Sequence, residues 1–261
     1  TAPATAYLLE SLDVDAGTIA VDGKLSTVGS GTGTVTITNS GSLTIADATS
    51  AADIADFDLD LAGAFLQDGA GGVNLAGDVQ TSGATIQFDG AIDLTGNVQM
   101  TSGSADITLN ETVDGAQDLT LNSGATTDIN GAVGSTTVLT AFTTDAAGTT
   151  QIGADVSASA QSYGDALILD TQAITLTGET AQFDSTVDGA GGASQDLTLD
   201  FSTSAVFAGN VGSTTRIGDG TGPAITIDSA GSTTFDGLVS TANGIVQTDD
   251  SAQTTFRGNV D

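Results

Sequence analysis

The chain has no cysteine, no histidine and no tryptophan, a single lysine at Lys24, and three glutamates at Glu10, Glu111 and Glu179. Without cysteine there is no disulfide to staple a fold and no thiolate to bind metal or attack a substrate. With Lys24, Arg216 and Arg257 as the only cations against 33 acids, and a formal charge of −30, electrostatic capture of nucleic acid or anionic lipid is excluded. Glu and Lys normally cover helix surfaces, so their scarcity argues against helices. Only Ala46 to Ala55 suits one short helical turn. No apolar run reaches the roughly 18 residues of a transmembrane helix. No basic, apolar signal segment stands at Thr1, so the expectation is a mature chain or an internal fragment.

What is abundant is glycine, at 35 of 261 residues, and aspartate, which makes up 30 of the 33 acids. Asp, Gly, Ser and Thr belong to turns and strand borders. The apolar residues are mostly Val, Ile, Leu, Ala and Phe, which suit thin stacked layers. Strong self-repulsion favours an elongated shape, with salt or calcium to screen it.

One phrase recurs: a large apolar residue, any residue, usually glycine, any residue, then Val. Clear copies start at Leu75, Leu94, Ile129, Phe207, Phe235 and Phe256, and looser ones at Phe88, Leu109, Ile152 and Phe183. From Leu109 to Phe256, six steps cover 147 residues, or 24.5 each, a period that belongs to solenoids. Alternating segments such as Leu119–Leu121, Leu167–Leu169, Ile174–Leu176, Leu197–Leu199 and Ile225–Ile227 read as strands with the apolar set inward. Longer wording returns too: Gln117 to Gln195 and Val133 to Val211 are both separated by 78 residues, read as three coils of about 25.

The expectation is an all-β, right-handed parallel β-solenoid with coils of about 20–30 residues, a single elongated unit over residues 1–261 in which 1–61 is less regular. A β-sandwich also repeats turn signals, but need not repeat its wording. About ten or eleven coils would make a rod on the order of 50 Å long.

The segments GAFLQDGAGGVNLAGDVQTSG from Gly63, ETVDGAQDLTLNSG from Glu111, NGAVGSTTVLTAFTTDAAGTT from Asn130 and ASAQSYGDALILDTQAITLTG from Ala158 resemble repeats of filamentous-haemagglutinin-like proteins. The resemblance covers roughly Ala62 onward. It implies a β-helix shaft in a large exported bacterial protein, extracellular or on the cell surface, used in adhesion, cell contact or matrix formation. Expected partners are identical subunits end to end, further coils of a longer chain, or glycans and neighbouring cell surfaces.

Asp13 and Asp15, with Asp56, Asp58 and Asp60, are the tightest carboxylate groupings and the candidate calcium ligands, since i and i+2 share a strand face; a solvated acidic face accounts for them more simply. Asp249 and Asp250 point to opposite faces if extended. The segments DGAGG at Asp68 and GDGTG at Gly218 read as corners, because neither GK[ST] nor tandem GGxGxD is present. Threonine pairs at 126–127, 149–150, 233–234 and 254–255 raise an ice-binding face, but TxT spacing holds only at Thr34, Thr36 and Thr38. A polysaccharide lyase needs a base and clustered cations, whereas the three here lie in different repeats; a two-carboxylate glycosidase is the other enzymatic alternative. The expectation is therefore a structural protein without catalytic residues. FRGNVD at Phe256 ends inside a repeat copy and TAPATAY at Thr1 is unlike a cap, so the chain is expected to continue by stacking.

Overall fold

The computed structural model describes residues 9–29, 32–48, 57–171, 173–191, 195–229, 231–249 and 252–261. TAPATAY, Asp56, Asp250 and residues 49–55 of the helical-turn candidate lie outside them. Among the described residues every element is a strand and every pairing is parallel. Many strands are three residues long with a buried–outer–buried pattern, as in Leu43–Ile45, Val73–Leu75 and Ile107–Leu109. Alternation sets which side chains point inward, and three residues carry two of them into the core.

The coils have three faces, here A, B and C in the order in which the chain meets them. Each face carries an inward column running the length of the described chain. Column A passes from Leu12 through Val35, Phe65 and Ile86 to Val211, Val239 and Val260. Column B runs from Ile19 through Leu43 and Val73 to Val156, Leu199 and Ile227. Column C starts at Leu25, continues through Leu59, Val79, Met100 and Leu121, and ends on an aromatic series reaching Phe256. Ten steps take column C across the 231 residues from Leu25 to Phe256, about 23 per coil and eleven positions in all. The β-solenoid expected from the sequence is the fold.

Its phase differs from the sequence reading. The five-residue phrase marks a corner, and the same phrase turns all three corners: from B to C at Leu75 and Leu94, from A to B at Phe88, Leu109, Ile129 and Ile152, and from C to A at Phe183, Phe207, Phe235 and Phe256. The 24.5-residue average therefore mixed two corners. The 78-residue repeat likewise connects Val133 in column B with Val211 in column A; it spans three coils and two further faces. Each corner makes the same demand, a large inward residue, a tight turn and a new inward residue, so one local solution serves all three.

The strands Leu12–Ala16, Ile19–Val21 and Leu25–Ser26 already join the three columns. What sets the first part of the chain apart is the 34-residue step from Leu25 to Leu59, against 20 or 21 in the next three. Toward the C-terminus the cross-section changes. Strands Ala173–Phe183 and Asp196–Phe207 run through faces B and C without a break, bending where their register shifts between Gly178 and Thr180. From Val187 onward, face A is reduced to single bridges between successive valines.

Candidate functional site

Of the candidate calcium ligands among the described residues, Asp13 and Asp15 share one outer face, while Asp58 and Asp60 point to opposite sides. Asp13 and Asp15 lie exposed on the outer side of Leu12–Ala16, on face A. Asp60 is on the outer side of Leu59–Leu61, on face C, beside Gln80. Asp58 turns inward and is buried; its carboxylate accepts the N–H groups of Ala48 at 2.8 Å and Asp78 at 2.9 Å. Asp56 is outside the described residues. Among the described residues no three His, Cys, Asp or Glu side chains are grouped to hold a metal ion.

Many acids and amides have a different role, which the sequence reading missed. In five of the ten phrase copies the fourth residue is Asp or Asn: Asp78, Asn97, Asp155, Asn210 and Asn259. The first four accept a backbone N–H from the coil above, donated by Gln99 (2.6 Å), Asp118 (3.0 Å), Thr175 (2.7 Å) and Leu238 (2.9 Å) respectively. A corner leaves such donors out of the sheet ladder, and a one-carbon side chain reaches them without loss of order. Glutamate is longer and costs more side-chain entropy to fix, which accounts for the bias toward aspartate. Burial raises the pKa of Asp78, opposed by the Gln99 N–H and reinforced by the nearby carboxylates of Asp58 and Asp47.

The two GSTT segments show the device at full strength. Asp114 Oδ1 accepts Thr136 N–H (2.6 Å) and Thr137 N–H (3.0 Å), and Asp188 Oδ1 accepts Thr214 N–H (2.8 Å) and Thr215 N–H (3.3 Å). The glycines that begin these turns, Gly134 and Gly212, have φ of 69° and 67°. A Cβ at either would collide with the backbone oxygen of Ser157 or Ser240 in the following coil. Both the conformation and the close approach require glycine. DGAGG and GDGTG also lie at corners, each between a column A and a column B strand.

The threonine pairs stack in register, Thr126 and Thr127 on Thr149 and Thr150, Thr233 and Thr234 on Thr254 and Thr255. They do not form a hydrogen-bonded ladder throughout, since the buried hydroxyls of Thr127 and Thr233 find no partner among the described residues. The outward column that contains Thr36 runs from Asp13 through Thr36 to Leu66, Gln87, Thr108, Asp128, Gln151 and Ile168.

Three exposed large apolar side chains, Val246, Phe256 and Val260, lie toward the C-terminal end of the described stack. Tyr163, Phe183, Phe207, Phe235 and Phe256 form one ring stack with centroid spacings of 5.0, 4.2, 4.7 and 5.1 Å. Four of these rings are buried, whereas Phe256 is 40% exposed; Val260, in column A, is 55% exposed, and Val246, on the outer side of face B, 44%. Among the described residues, strands Ile245–Gln247 and Gln253–Phe256 each pair on one side only.

No protein-family model, curated protein or solved structure matches the chain. No helix among the described residues is long and apolar enough to cross a membrane.

Proposed function

We propose that the chain is a structural shaft element of a large exported bacterial surface protein of the filamentous-haemagglutinin-like kind. The carrying observation is the continuity of the stack: three inward columns run in register along the described chain, and neighbouring coils are tied together by parallel strand pairing and by corner side chains. The lateral surface is consumed by Asp, Asn and Thr side chains that tie one coil to the next. Such a molecule carries load and spaces what is attached to it; adhesion then depends on elements borne by the shaft.

A paired experiment tests whether coils of this design form one continuous shaft. Two copies joined in tandem should give one rod of roughly 100 Å by small-angle scattering. Single chains should lengthen end to end with concentration only if copies stack on each other. Phe256→Asp should abolish lengthening and uncouple the tandem halves without altering the shorter rod. Tandem halves that move independently with Phe256 intact would rule out a continuous shaft.

A further inference from the structure

A buried series of side chains, polar except at Leu61, follows the corner from face C to face A through the first part of the shaft. Its hydroxyls satisfy turn carbonyls: Thr27 donates to Gly33 O (2.7 Å), Thr81 to Ala84 O, Ser102 to Ala105 O (2.5 Å) and Ser123 to Ala105 O (2.8 Å). At the next coil the scheme changes. Thr144 donates to a carboxylate instead, Asp165 Oδ1 at 3.1 Å, and Thr150 donates to both Asp165 oxygens at 2.9 and 3.0 Å. Asp165 is 4% exposed. Thr127, aligned with Thr150 in column A, adds a buried hydroxyl with no partner among the described residues.

This cluster sits where the shaft changes its construction. Below it, column C is Leu25, Leu59, Val79, Met100 and Leu121; above it begins the ring stack at Tyr163, and faces B and C merge in the strand Ala173–Phe183. Thr127, Thr144 and Thr150 are the places where columns A and C become polar. Both columns therefore carry hydroxyls into the core at this junction.

We propose that Asp165 makes this junction a proton-operated joint: its neutral carboxyl holds the two parts of the shaft closed, and its ionisation loosens the corner formed by residues 144–150 and 163–167. No cation stands between Lys24 and Arg216 in the sequence to pair with the charge. Of the acids on the surrounding strands and corners, Asp145 acts on Asp165 directly and disfavours its ionisation. Asp170 and Asp184 are exposed, Asp128 is on the outer side of its strand, and Asp188 is engaged by the Thr214 and Thr215 N–H groups. The Tyr163 phenol donates to Gln161 Oε1 at 3.0 Å, and burial pushes its pKa up. Two hydroxyl donors favour the Asp165 carboxylate, but burial outweighs them and moves its pKa to about 6.

A carboxyl with its pKa raised by folding stabilises the folded state below its unfolded value near 4, and that contribution is lost as pH rises through about 6. Because the chain has neither histidine nor cysteine, few other side chains titrate in this window. Carbon-13 NMR of the Asp165 carboxyl should give a midpoint near pH 6. Amide protection in residues 163–167 should fall about tenfold between pH 5 and 7.5, after correction for intrinsic exchange. Asp165→Asn should remove that fall, and Asp145→Asn should move the Asp165 midpoint down. An Asp165 midpoint near 4, or an undiminished fall in the Asp165→Asn variant, overturns the proposal; the NMR titration requires no variant and stands even where one folds poorly.

Discussion

At the scale of single residues, the chain separates two kinds of position. Inward residues vary within a column, and column C holds Leu, Val, Met, Thr, Tyr and Phe along its length. Corner residues are specific. Phe207 is fully buried between Phe183 and Phe235, so Phe207→Ala should cost about 3–5 kcal/mol through the cavity it leaves. Phe207→Asp should cost at least as much, because an unpaired carboxylate has no compensation there; urea unfolding of the two variants checks the size and the order. The inward positions of Leu119, Leu121, Leu197, Leu199, Phe207, Val211, Phe235 and Val239 were legible in the sequence from alternation, and all eight are buried. Asp58 and Asp165 were not. Asp165 reads as a turn aspartate between Gly164 and Ala166, Asp58 as one of an alternating acidic strand face between Phe57 and Leu59, and nothing local shows that either carboxyl points inward.

At the scale of the element, the unit of construction is a strand with its following corner, and the corner is held from the coil beside it. Asp188, buried and accepting two N–H groups, should be worth about 1.5–3 kcal/mol against alanine, in the range of hydrogen bonds to charged groups. Asp114, which makes the same two bonds at an exposed turn, should be worth less. Thermal unfolding of Asp188→Ala and Asp114→Ala tests that order, and equal losses would show that burial does not set the strength of the cap. The sequence displayed these elements but concealed their phase. A phrase that turns every corner equally well carries no label for which corner it is turning; only pairing partners, such as Val133 on Val156 and Val187 on Val211, supply it. The fourth-position Asp or Asn was visible as a bias, and its meaning emerged once the coil above supplied the donor.

At the scale of the whole molecule, 30 net negative charges are distributed along a rod on the order of 50 Å long. The ion pairs Arg216–Asp261 and Arg257–Asp236 are exposed and offset little of this repulsion. Raising sodium chloride from about 10 to 200 mM shortens the screening length from about 30 Å to below 10 Å, so the thermal midpoint should rise with salt; a flat response would mean that the charges do not oppose folding. The central claim is the coil count itself, and the natural absence of cysteine makes it directly measurable by spin labels on introduced cysteines. Thr120, Thr143, Ser162, Gln182, Val206, Thr234 and Thr255 form one outward column. Labels at Thr120 and Gln182, three coils apart, should be separated by about 14 Å, and labels at Thr120 and Thr255, six coils apart, by about 29 Å. Distances that double when the coil count doubles are the predicted result, and distances that do not scale with it would contradict the solenoid.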